Sequence, residues 1–124
     1  MKSVTHVITT IERGGAENQL LILVQAQTRT GREVSVAFLK GEPELKQALL
    51  DAGAKVIDNL YGKNPIRQIF LLRSILKLNG NQILHCHLPR AELITTFANR
   101  KLGFPLVISR HNAESFFPGA PSFL

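Results

Sequence analysis

Two hydrophobic rhythms alternate along the chain. Val4 to Ile11 (VTHVITTI), Val34 to Leu39 (VSVAFL), Lys55 to Asn59, Gln82 to His87 (QILHCH) and Pro105 to Ser109 (PLVIS) are short and mostly rich in β-branched residues, and they predict strands. Between them, apolar residues recur at helical spacing. Ala16 to about Thr28 carries Leu20, Leu21, Leu23 and Val24 and stops before Gly31. Glu42 to Ala52 has Pro43 in its first turn and Gly53 just past its end, the usual asymmetry of helix ends. Pro65 opens a longer helix that runs to about Leu78, and Arg90 to Leu102 closes at Gly103.

Five strands thus alternate with four helices through short connections. This pattern predicts a parallel sheet covered on both faces, with right-handed crossovers. The expected architecture is an α/β, Rossmann-like, doubly wound sheet of about five strands in the order 3-2-1-4-5, as one domain, expected to be partial, over residues 1–124. In such sheets ligands lie beyond the carboxyl ends of the strands, where strand order reverses. That point falls between the first and fourth strands. RGGAE follows the first, HLPR the fourth and RHN the fifth, so three loops converge on one crevice.

Composition narrows the partners. The chain is 44% hydrophobic, enough for a core, and its formal charge of +6 suits either an anionic partner (a nucleotide, a phosphorylated lipid, a membrane surface or nucleic acid) or simply a soluble basic surface. Cys86 is the only cysteine, so no internal disulfide can form. The N-terminal MKSVTHVITT lacks the apolar run of a signal peptide, and IFLLRSIL is broken by Arg73 and far too short to span a bilayer. The expected location is cytoplasmic, with peripheral contact at the inner face of the membrane as an open alternative. On the long helix, Ile66, Phe70, Arg73 and Lys77 form one stripe opposite a core stripe of Ile69, Leu72, Ile75 and Leu76. A stripe mixing apolar and basic groups suits an anionic lipid surface or an ordinary partner-domain contact.

The candidate chemistry lies in the loops. Gly14 and Gly15 between a strand and a helix put backbone N–H groups and a positive helix end at one spot, an anion site. The pattern is neither G-x-G-x-x-G nor a P-loop, and a turn needing positive φ is the competing explanation. Glu17 sits in the first helical turn, as a dipole partner or as an acceptor for sugar hydroxyls. His85 and His87 share a strand face with Cys86 opposite; H-x-H can ligate zinc, but no third ligand is evident, and no metal is expected. His87, at the strand's carboxyl end, is expected to look into the crevice. Arg90 opens the next helix as a surface charge or as a cation for a phosphate or carboxylate. His111 and Asn112 follow the fifth strand, where a histidine can cap a backbone group or act at a reacting centre.

With these motifs in place, the chain resembles the N-terminal domain of the retaining, nucleotide-sugar-dependent glycosyltransferases of family 4, which have the GT-B fold. The resemblance rests on GGAE at 14–17, GREVSVAFL at 31–39, ILHCHL at 83–88 and VISRHN at 107–112, in matching order across nearly the whole chain. It implies that Gly14 and Gly15, with Glu17 beside them, approach the donor diphosphate and the acceptor. It further implies that His87 stands at the crevice on the acceptor side and that His111 lies close to the transferred sugar as the catalytic candidate; Arg90 and Asn112 join His87 as acceptor-binding candidates. The acceptor would be a saccharide or lipid-linked saccharide in polysaccharide, lipopolysaccharide or glycolipid synthesis. No cofactor and no nucleic-acid partner is implied.

The sequence departs from that family in two places. Gln82 stands where an acid often precedes the H-x-H strand, and these 124 residues hold no Glu-x7-Glu motif of a C-terminal donor-binding domain. The chain alone is therefore expected to be inactive, with FFPGAPSFL poorly supported. Two other readings stay open at this point. One is a stand-alone flavodoxin-like binding module, although Glu12 and Asp58 are poor substitutes for a receiver's clustered acids. The other is a GT-B nucleotide-sugar epimerase, which fold analogy does not separate from a transferase.

Overall fold

A computed structural model describes residues 2–109 of the chain. Strand β1 (Ser3–Ile8) is followed by α1 (Gly15–Arg29), β2 (Val34–Phe38), α2 (Lys46–Asp51), β3 (Lys55–Ile57), α3 (Pro65–Asn79), β4 (Gln82–His87), α4 (Pro89–Ala98) and β5 (Leu106–Ser109). The strands form one parallel sheet in the order β3-β2-β1-β4-β5, as the alternation predicts.

Strand alternation sorts the core into two layers. On one face Ile8, Val36 and Phe38 pack with Leu20 and Val24 of α1 and Leu49 of α2. On the other, Val7, Ala37, Leu84 and Cys86 pack with Leu72 and Leu76 of α3 and Ile94 of α4. β1 is central and covered on both sides, so every residue from Val4 to Ile8 is buried, the polar Thr5 and His6 included. Cys86 faces the layer opposite His85 and His87, in keeping with strand alternation.

Local chemistry sets the element ends. The Asn64 side chain accepts from the Arg67 N–H at 2.9 Å and Pro65 takes the first turn of α3, whose C-cap, Gly80, has φ 65°. Three boundaries lie three or more residues from the sequence expectation. β1 ends at Ile8 because the Thr9 carbonyl leaves the ladder to accept from Leu39 and Lys40 N–H groups. α2 begins at Lys46 rather than Glu42, because the Leu45 N–H, which would bond the Gly41 carbonyl in a helix starting there, goes to the Ile11 carbonyl at 2.9 Å. α4 stops at Ala98, where a turn held by Asn99 follows: its side chain bonds both the N–H and the carbonyl of Phe104.

Candidate functional site at the carboxyl edge of the sheet

Because β1 and β4 are parallel neighbours, with Ile8 opposite His87, the loops that follow them leave the sheet side by side. They are also bonded to each other. Thr9 Oγ1 accepts from the Ala91 N–H at 3.2 Å and so caps the first turn of α4 from the β1 loop. Leu88 joins β4 to α4 with φ 77°, a left-handed conformation unusual for a leucine and a local store of backbone strain.

The β1–α1 loop is stitched to the β2–α2 loop by two acids. Glu12 accepts from Glu42 N–H, and Glu44 accepts from Arg13 N–H at 2.9 Å. The loop then delivers Gly14 and Gly15 to the start of α1. Gly14 has φ −172°, ordinary extended backbone, and Gly15 is not among the glycines with positive φ, so a left-handed turn does not explain the pair. A Cβ on Gly14 would lie 2.7 Å from Glu17 Oε1, the movable end of a side chain. A Cβ on Gly15 would meet nothing within 4 Å, and Gly15 is exposed. α1 receives no side-chain cap hydrogen bond among the described residues, and Gly15 at its start is exposed. Glu17 lies in the first turn and accepts a hydrogen bond from Thr10 Oγ1.

His87 is 2% exposed, so it is packed below the crevice rather than open to it. Its Nε2 lies 3.0 Å from His6 Nδ1, and His6 Nε2 lies 2.7 Å from Gln27 Oε1. The amide oxygen only accepts, so His6 carries its proton on Nε2 and its Nδ1 accepts from His87. His85 stacks on His87 with ring centroids 4.0 Å apart, and its Nε2 is 2.6 Å from Ser109 Oγ. Burial pushes the His6 imidazole down from 6.5 to about 4; the Gln27 bond opposes that shift and nearby His85 reinforces it. The third histidine that the sequence reading did not find is therefore His6. The signal was present: β1 and β4 flank the switch point, and their pairing sets His6 opposite His85.

Arg90 is not a solvated charge. It is half-buried, and its Nη2 donates to Gln68 Oε1 at 3.1 Å. Gln68 is fully buried on α3, and its Nε2 donates to the carbonyls of Leu39 and Leu60, both at 2.9 Å. Sequence periodicity missed this residue, since a glutamine on a helix usually faces water. His111, Asn112 and the FFPGAPSFL segment lie outside the described residues.

On the far side of α3, Ile66 and Phe70 are 68% and 59% exposed, Lys77 is exposed, and Leu72 and Leu76 are buried, as the two stripes predict. Arg73 is held more firmly than a surface cation: it donates to the carbonyls of Phe97 and Ala98 at the end of α4. Ile66, Phe70, Arg73, Phe97, Arg100 and Lys101 line a basic, aromatic groove between the two helices. No helix among the described residues is long and apolar enough to cross a membrane.

Similarity to known proteins runs along most of the chain. The model of Glycosyltransferase Family 4 matches residues 13–124. A Campylobacter jejuni protein, GalNAc-alpha-(1->4)-GalNAc-alpha-(1->3)-diNAcBac-PP-undecaprenol alpha-1,4-N-acetyl-D-galactosaminyltransferase, is 30% identical over 94% of this chain. The chain spans 34% of that relative's length. Among solved structures, the glycotransferase of kitacinnamycin superposes with a TM-score of 0.62 at 13% identity, covering 86% of this chain and 30% of that one. The C-terminal domain of a hydrogenase from Pyrococcus furiosus superposes with a TM-score of 0.66 at 13% identity, covering 87% of this chain and 91% of that domain. At that identity the two structures speak to the fold alone.

Proposed function

The chain belongs to glycosyltransferase family 4, and from that premise we propose that it is the acceptor-side part of an enzyme moving a sugar from a nucleoside-diphosphate donor to a lipid-linked saccharide. The anomeric configuration is retained. In this reading a second, donor-binding domain closes over the crevice, and the 124 residues alone do not catalyse transfer. The relative from Campylobacter jejuni, named for a transfer onto an undecaprenol-diphosphate saccharide, supports the acceptor class.

One observation carries the reading on this chain. Gly15 is exposed, its missing Cβ would touch nothing, and it begins a helix whose N–H groups have no side-chain cap. Nothing in the described fold needs glycine there, whereas a diphosphate approaching the backbone does. As the bond from the anomeric carbon to the diphosphate breaks, the leaving oxygen gains negative charge. N–H groups already aimed at it stabilise that charge without reorganising. The acceptor hydroxyl oxygen forms the new bond to the anomeric carbon. Glu17 accepts from a sugar hydroxyl, Arg90 and Asn112 address the acceptor, His87 supports that surface from below, and His111 stands at the transferred sugar. The transfer itself uses no cofactor.

The groove between α3 and α4 supplies the membrane-facing side. Its cations suit anionic headgroups, and Phe70 and Phe97 suit the interface beneath them. A lipid-linked acceptor reached from the inner face of the membrane needs such a surface.

The test is transfer by the full-length protein. It is given a panel of nucleoside-diphosphate sugars and a polyprenyl-diphosphate saccharide, and the product's anomeric configuration is read by NMR. A product that keeps the donor's configuration supports the proposal. No transfer with any donor, or an inverted product, defeats it.

A further inference from the structure

We propose that His6, His85 and His87 form a binding site for a borderline divalent transition-metal ion of the zinc, cobalt or nickel type. The site is independent of the transfer reaction proposed above.

The two strands at the switch point build it. His85 and His87 stand on the same face of β4, and His6 is paired opposite His85 on β1. One nitrogen from each ring lies within 4.8 Å of the others. His6 Nδ1 and His87 Nε2 are already 3.0 Å apart. Zinc–nitrogen bonds of about 2.0–2.1 Å in a tetrahedral site need a separation close to that, roughly 3.3 Å. The His85 ring closes the remaining gap by turning about its side-chain bonds.

The surroundings have the character of a metal's outer shell. Bound histidines donate their second ring N–H to a fixed acceptor, which sets the tautomer. Gln27 Oε1 does this for His6 Nε2 from α1, and Ser109 Oγ contacts His85 Nε2 from β5. The proton that His87 Nε2 now donates to His6 moves to His87 Nδ1, and the ion takes its place between the rings. Three imidazoles and no carboxylate or thiolate suit zinc, cobalt and nickel better than magnesium or calcium, which require oxygen. A surface groove lined by Gln27, Thr30, Arg32, Ile83, His85 and Val107 gives the ion a path in. Once bound, it ties β1 to β4 directly beneath the loops that carry Gly14, Gly15 and Arg90.

The experiment uses the whole 124-residue chain, free of any affinity tag. Zn2+ is added in thermal-melt and calorimetric titrations, and Co2+ in visible spectroscopy. One ion per chain, a Zn2+-dependent rise in Tm and tetrahedral-type Co2+ bands are expected. His85→Ala, at a half-buried ring, lowers affinity at least about tenfold and abolishes the rise in Tm. Histidine-selective 15N NMR on the unaltered chain reads the same site without a substitution: Zn2+ shifts the rings of His6, His85 and His87. The proposal falls if Zn2+ leaves Tm unchanged, if the rise is equal in His85→Ala, or if His111 is the only ring that shifts.

Discussion

Thr10 donates its hydroxyl to the Glu17 carboxylate at 2.5 Å, and that carboxylate lies over Gly14. The contact ties the end of the β1 loop to the first turn of α1. It also puts a negative charge at the positive end of an uncapped helix, where the dipole favours it.

Glu17→Ala removes both effects. A loss of about 1 kcal/mol is expected, read as a lower urea midpoint with an unchanged slope. An unchanged midpoint would mean that the carboxylate does not brace the loop.

Gln68 offers a larger effect. Gln68→Leu keeps the side chain's bulk but takes one of two donors from each of the Leu39 and Leu60 carbonyls, which still accept from the Gly62 and Lys63 N–H groups, and leaves the Arg90 Nη2 without its acceptor. About 2–4 kcal/mol of stability should be lost in urea unfolding, against about 0.5 kcal/mol or less for Gln47→Leu on the exposed side of α2.

The strand order, the core stripes and the loops at the switch point were legible because they depend on periodicity and on turn residues. Leu72 and Leu76 face the core for the reason their spacing gives, and Asn64-Pro65 starts a helix as such pairs do. The polar interior was not legible. His6 and Gln68 are buried polar residues, and what satisfies them comes from elements distant in sequence: His87 and Gln27 for one, Leu39 and Arg90 for the other. The early end of β1 had the same cause, since Leu39 and Lys40 draw the Thr9 carbonyl out of the ladder.

The pH response follows from His6. Its folded value of about 4 lies below the ordinary 6.5, because burial penalises the charged ring. Between these values the unfolded chain binds the extra proton, so stability is full above about 6.5 and falls as pH drops toward 4. Roughly 3 kcal/mol should be lost across that window, with little further loss from this group below it. Urea midpoints measured from pH 7.5 to 4.5 check this, and in His6→Gln the slope in that window should flatten.

The groove between α3 and α4 predicts salt-sensitive binding to vesicles containing anionic phospholipid. Phe70→Glu, at an exposed position, should abolish co-sedimentation at low salt without changing Tm. Equal sedimentation of the variant and the unaltered chain would assign the groove to something other than lipid.

The most direct measurement pairs activity with stability for Gly15→Ala in the full-length protein. Gly15 starts α1 without positive φ and has open space where a Cβ would go, so alanine should hold or raise Tm, by up to about 1 kcal/mol of added stability. If the bare backbone there meets the donor diphosphate, kcat/KM for sugar transfer should fall at least about tenfold, as for the loss of one transition-state donor. Unchanged transfer in a folded Gly15→Ala enzyme would contradict the account.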